Sequence, residues 1–325
     1  MAHTLPVPVG VAGGVSSVRR GILLGLASAV TFASSGSFLK PLLEAGWTPG
    51  AAALWRMAGA ALVLLPVLVI ALRRDPGLLR RHGALILGFA ATGVVGCQVL
   101  HLSAIERMPV AVALLVQYLA PVLIVAWIWA RTRRAPRRSV LAGTAASVCG
   151  LILVIDLSGA SFDAIGVGLA LGAAVSMAVY YQLSEHAGEG IAPLTLVAAG
   201  MAAGAVITGL LCLAGLLPYA APPVSVPLGG MVVPWFVPLG WVAVVATAVA
   251  YSLSVLAVLR IGARLAAFVG LAEVLFAVLF AWILLAEAPT LVQAAGGVLI
   301  VAGVVLVRAG TPSPDALAMP SAPSP

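Results

Sequence analysis

Charge is scarce in this sequence. Only 8% of its 325 residues are Asp, Glu, Lys or Arg, while 62% are hydrophobic. That balance excludes a soluble domain and gives a polytopic membrane protein. Cysteine is nearly missing as well. Cys97, Cys149 and Cys212 all lie inside apolar runs, with no CxxC or Cys/His spacing, so neither a zinc site nor a disulfide framework is supported. There is no GxxxxGK[ST] loop, so the chain does not hydrolyse ATP itself. A membrane-embedded enzyme would need a DDxxD-like or HExxH cluster, and none is present. No metal and no cofactor are expected. The net charge of +7 does not point to nucleic acid, because the basic residues fall in short clusters between apolar runs, as in loops that anchor a membrane protein.

What is present is a series of long apolar runs. A helix needs ~20 apolar residues to cross the ~30 Å hydrocarbon core. The runs are continuous rather than alternating, which predicts helices. Ten spans follow: 21–39, 51–72, 84–104, 109–130, 139–156, 164–184, 193–215, 238–258, 264–286 and 291–308. The opening "VSSVRRGILLGLASAV" has the shape of a secretory signal, but so many spans follow that it reads as the first helix. Residues 216–237 carry several prolines and no charge and read as an apolar external loop. The termini, 1–20 and 309–325, are expected to be cytoplasmic, and the Pro/Ser/Ala-rich tail disordered. With the N-terminus inside, 14 of the 17 basic residues fall on the cytoplasmic side. Lys40 and Arg107 fall outside, and Arg56 lies within span 2. The positive-inside rule therefore puts both termini in the cytoplasm of a multi-pass cell-membrane protein.

The chain also repeats itself. A shift of 153 residues lays spans 4 and 5 over spans 9 and 10 without a gap, with Arg107/Arg260, Trp129/Trp282, Pro136/Pro289, Gly143/Gly296 and Gly150/Gly303 identical. A shift of 144 lays "GWTPGAAALWRMAG" over "GIAPLTLVAAGMAA". Two homologous five-span halves, 21–156 and 164–308, are implied. Five is odd, so the second half must enter the membrane inverted. The fold class is all-α, ten transmembrane helices in two inverted-topology repeats, an arrangement that places a substrate path near the midplane. Inversion also accounts for Arg134 after span 4 standing opposite Glu287 after span 9, because the same element lies on opposite sides.

Three stretches resemble the EamA-type ten-helix permeases of the drug/metabolite transporter superfamily: "FASSGSFLKPLLEAGWTPGAAALWRM", "LHLSAIERMPVAVALLVQYLAPVL" and "LLAEAPTLVQAAGGVLIVAGVVLV". The resemblance covers about residues 21 to 308. It implies a secondary transporter, expected to export a small metabolite, amino acid or drug-like compound by alternating access. A passive channel is the alternative, and a membrane-embedded enzyme a remote one. The partners implied are a small-molecule substrate and the bilayer, with the chain a monomer or homodimer. The chain departs from the family pattern at Phe32–Ala33, where Trp-Gly is usual, at Val274, where span 9 commonly has proline, and at Arg134, where a glutamate often ends span 4.

An ionisable side chain inside a span is a candidate site, because a charge in hydrocarbon costs at least ~2.5 kcal/mol. Glu273 stands near the middle of span 9, Arg56 within span 2 and His101 in span 3. Arg56 has no counterpart in the second half, where Gly200 occupies its position. Lys40 reads as an interface anchor, and Glu106 with Arg107 as a local ion pair. The polar candidates are Gln98 and Tyr251, at matched repeat positions, then Gln117 and Tyr118 ahead of Pro121, and Tyr180 in span 6. Small residues at four-residue spacing, Gly25, Ala29 and Ala33 in span 1 and Ala170, Ala174 and Ala178 in span 6, predict that these two helices pack tightly.

Overall fold

The structure is a computed structural model that describes residues 15–105, 107, 110–133, 135–155, 163–285 and 290–310. Glu106, Arg134, Glu287 and the tail 311–325, on which several expectations fall, lie outside the described residues.

The backbone is helical almost throughout, as apolar segments in lipid must be, since a helix satisfies its own N–H and C=O groups. Helix α1 spans Val15–Glu44, α2 Pro49–Arg74, α3 Leu78–Phe89, α4 Cys97–Ile105, α5 Val110–Gln117, α6 Ala120–Thr132 and α7 Arg138–Val154. In the second half α8 spans Ala164–Glu185, α9 Pro193–Leu213, α10 Phe236–Ala243, α11 Ala250–Gly270, α12 Ala272–Leu285 and α13 Leu291–Gly310. Local chemistry sets several starts. The Thr48 hydroxyl caps α2 by accepting from Ala51 N, with Pro49 at the first helical position. Asp163 caps α8 by accepting from Gly166 N at 2.7 Å. Leu62, Leu210, Ile283 and Val298 are each more than half exposed and form part of a lipid-facing girdle.

Ten transmembrane segments result, several of them discontinuous. Span 3 is α3 and α4 joined by a π-helical turn at Ala90–Gly96. Span 8 is α10 and the first part of α11, joined by a π turn at Val244–Val249. Gly262 (φ 76°, ψ 158°) breaks α11 and separates span 8 from span 9. Span 4 is α5 and α6, interrupted at Tyr118 and Leu119. Span 9 runs from Ala263 to Gly270 and resumes as α12 after Leu271. The 153-residue shift carries each irregularity of spans 3 and 4 onto its partner: Val110–Gln117 onto Ala263–Gly270, and Gly96 onto Val249. The repeat therefore extends to the breaks.

The pseudo-two-fold axis shows in the packing of α7 against α13. A Cβ at Gly143 would lie 2.6 Å from the Gly303 carbonyl oxygen, and one at Gly150 would lie 2.5 Å from that of Gly296. The first glycine of one half meets the second of the other, which requires antiparallel helices of inverted halves. Small residues let the backbones approach, as the sequence spacing implies. Gly303→Val should drive these helices apart and lower the melting temperature of the detergent-solubilised protein by several degrees, since overpacking costs about 1–3 kcal/mol. Gly168→Ala, where an added Cβ meets open space, should leave it unchanged.

Two expectations are corrected. Helices α1 and α8 do not pack on each other. Helix α1 lies along α11 and α12, with Gly25 against Val269, and α8 lies along α4 and α5, so each first helix docks mainly on the opposite half. The stretch 216–237 is more than a loop. It contains an antiparallel hairpin, β1 (Ser225–Leu228) and β2 (Met231–Pro234). The turn needs positive φ at both residues, and Gly229 (φ 57°) and Gly230 (φ 81°) supply it. Trp47 Nε1 donates to the Pro222 carbonyl at 2.9 Å and Thr48 Oγ1 to that of Pro218 at 2.9 Å, tying this connection to the α1–α2 turn.

Candidate functional site

The two helix breaks and the first π turn contribute to the wall of a cavity of about 290 Å³, and the second π turn holds Arg56 at that wall. Backbone irregularity at membrane depth is tolerated only where it is buried in protein or lines a water-filled space. A π turn also strains the hydrogen-bond ladder and exposes carbonyls to side chains. Both consequences appear. The Gly93 carbonyl in the first π turn accepts from Tyr251 Oη at 2.9 Å. The Ala246 carbonyl in the second accepts from Arg56 Nη2 at 3.2 Å. Gly93 and Ala246 are matched by the 153-residue shift, so the same carbonyl is used on each side of the axis.

Seven of the eight candidate residues, Arg56, Gln98, His101, Gln117, Tyr180, Tyr251 and Glu273, line this cavity. The eighth, Tyr118, sits in the break of span 4, with its hydroxyl near the Glu273 carboxyl. They come from spans 2, 3, 4, 6, 8 and 9, which the inverted docking of the halves brings together. Arg56 Nε also donates to Thr247 Oγ1 at 3.0 Å, so two anchors fix the plane of the guanidinium while its remaining N–H groups stay available to the cavity. Glu273 lies near enough for its charge to interact with that of Arg56.

Glu273 is not in the middle of a continuous helix. It occupies the first turn of α12, directly after the break at Leu271. The positive end of a helix favours a carboxylate, which offsets part of the cost of placing it there. The break does not need proline. Pro121 opens α6, while Val274 takes its place in α12, and short bonds close the backbone on both sides of the break, Leu271 N to Phe268 O before it and Val274 N to Leu271 O after it, each 3.1 Å.

Two cavity atoms have no partner among the described residues: His101 Nδ1 and Gln117 Oε1. Gln117 Nε2 donates to Cys97 Sγ at 3.1 Å, leaving its oxygen aimed at nothing. Unsatisfied buried polar atoms are costly, and at a cavity wall they are places for a ligand to bind. Lys40 is exposed near the end of α1 and is not among the residues lining the cavity.

The cavity is open at one end and shut at the other. Its wall reaches Leu39, Leu43 and Pro49, on the face where α1 ends and α2 begins. The opposite end is filled by aromatic rings. Tyr180 packs edge-on to Tyr181 at 5.1 Å and to Tyr251 at 5.7 Å, and its hydroxyl donates to Ser254 Oγ at 2.8 Å. Phe89 and Phe32 complete the layer. A shift of 145 residues, which also pairs Gly25, Ala29 and Ala33 of α1 with Ala170, Ala174 and Ala178 of α8, matches Tyr180 and Tyr181 to Ser35 and Gly36. Gly36 is exposed, and a Cβ there would meet nothing within 4 Å. The two faces thus differ at matched positions: two tyrosines shut one, while a serine and a glycine leave the other open.

The sequence did not point to Thr247, Ser254 or the Ala246 carbonyl. A hydroxyl or carbonyl in a span is ordinary until a bulky donor is seen beside it, and these donors come from other spans.

An inverted ten-segment repeat with a polar cavity between broken helices defines a polytopic membrane transporter. The model of the EamA-like transporter family matches residues 19–156 and 164–309, one match per half, and the chain belongs to that family. A solved protein crystal structure superposes with a TM-score of 0.67 at 20% identity, covering 89% of this chain and 94% of the other, and shows the same fold. No curated protein is similar enough in sequence to be matched.

Proposed function

We propose that the chain is a secondary transporter that exports a small, anion-bearing metabolite, amino acid or drug-like compound across the cytoplasmic membrane by alternating access. Arg56 binds the anionic group and Glu273 carries the coupling proton. The observation that carries this reading is one cavity, at the breaks of spans 4 and 9, holding a fixed cation and a titratable acid and reaching only one face. A carrier needs a site that is occluded on one side at a time. A passive channel needs a continuous path, and the tyrosine layer speaks against one. Saturable counterflow in proteoliposomes supports the carrier; single-channel currents would overturn it.

The arginine distribution supports cytoplasmic termini, an orientation in which the open face is external and suits a step of substrate release outside. An orientation test follows. In a background free of Cys97, Cys149 and Cys212, a cysteine at Ser225 in β1 should react with an impermeant maleimide added to intact cells. A cysteine at Pro136, between α6 and α7, should react only after the cells are opened. Reaction at 136 in sealed cells reverses the orientation and makes the cavity face the cytoplasm.

A further inference from the structure

The shut face carries a contact outside the cavity. At Gly262 the backbone takes a positive φ that side-chain-bearing residues avoid, which ends span 8 and starts span 9. The first amide of span 9, Ala263 N–H, donates to Glu185 Oε1, at the last turn of α8. Amides at a helix start lack an internal acceptor and carry the positive end of the helix dipole, so a carboxylate suits them. This one contact joins the end of α8, the end of span 8 and the start of span 9.

Glu185 lies on the same helix as the tyrosines that shut the cavity, five residues after Tyr180 and four after Tyr181. Each ring sits in a seat made by a missing side chain. A Cβ at Gly93 would stand 2.5 Å from the Tyr180 ring, and one at Gly270 would stand 2.5 Å from the Tyr181 hydroxyl. The last turns of α8 therefore act as one rigid plug, with two rings in glycine seats and a carboxylate at the tip. At the matched positions of α1 stand Ser35, Gly36 and Lys40. An ammonium only donates, so it cannot accept from an amide, and this contact cannot be rebuilt on the open face.

We infer that Glu185 is the latch of the shut face: its carboxylate on the Ala263 amide holds the Tyr180–Tyr181 plug in place, and the contact releases when access switches sides. The inference rests on the alternating-access reading but needs neither the substrate nor Glu273.

Thiol labelling of the purified full chain in nanodiscs, in the cysteine-free background, tests it. Val258 is 1% exposed, one turn before the break on the shut face. Gly36 marks the open face. With a single cysteine at 258, Glu185→Ala should raise the maleimide rate about tenfold, the scale on which losing one charge-assisted hydrogen bond shifts a two-state balance. With a single cysteine at 36, the same change should lower the rate, because the faces alternate. Glu185→Gln keeps an acceptor oxygen but loses the charge, so it should fall between the parent and Glu185→Ala at both positions. An unchanged rate at 258 overturns the latch. A rise at both positions together also overturns it, because that is a loosened fold rather than a switch. Neither result depends on proton coupling, so failure of the latch and failure of the proposed function are told apart.

Discussion

Arg56→Ala is expected to abolish most saturable transport, by about 30- to 100-fold, while the protein still inserts and folds. The magnitude is that of charge-assisted hydrogen bonds, ~2–3 kcal/mol, lost from substrate recognition. A guanidinium stays charged at any accessible pH, so at a cavity wall it is a permanent site for a carboxylate or similar anion. Its geometry is already set. Nε is held by Thr247 and Nη2 by the Ala246 carbonyl, so little entropy remains to be lost when an anion binds. Arg56→Lys keeps the charge but not the fork, and should fall between the two. Thr247→Val leaves the charge and removes one anchor, and should weaken binding more than turnover. The readouts are counterflow of the compound whose secretion depends on this chain, and thermal stabilisation by a panel of amino acids and organic acids. Normal counterflow in Arg56→Ala would make Arg56 an anchor for the second π turn and remove the anionic-substrate idea.

The repeat and the number of spans were legible because they are written in periodicity and identity. Gly143, Gly150, Gly296 and Gly303 pair by a fixed shift, and five spans per half forces inversion. The breaks were only half legible. Pro121 hints at one, but the matched break at Leu271 has no proline, because its cause is the path of the fold around a cavity. The π turns left no trace in composition; "AATGVVG" and "VVATAV" read as ordinary apolar helix. For the same reason Glu273 looked deeper in its helix than it is. A span read as one piece has its middle at Glu273, while a span in two pieces has a helix start there. The pairing of α1 with α11 and of α8 with α4 was misjudged because small residues declare that a helix packs closely without declaring against what.

Glu273→Gln separates a coupling group from a packing group. Glutamine keeps the size and can hydrogen-bond Tyr118, but it cannot gain or lose a proton. If Glu273 carries the coupling proton, the variant should still exchange substrate down its gradient at near the parent rate, yet lose essentially all accumulation driven by a pH gradient. The reason lies in the site. The carboxyl has the Tyr118 hydroxyl and Arg56 near it and lines the cavity wall. On the proposed reading its protonation would be tied to which face is open, the link that would convert a proton gradient into directed transport. The repeat supports a role beyond packing, since Ala120 stands at the matched position next to Pro121 and the break forms there without an acid. Tyr118→Phe provides the graded companion. It removes the hydroxyl partner but leaves the titration, so coupling should persist with a shifted pH profile. Gradient-driven accumulation at the parent level in Glu273→Gln would show that the carboxyl only fastens α12 to Tyr118. The driving force would then have to come from the substrate's own gradient.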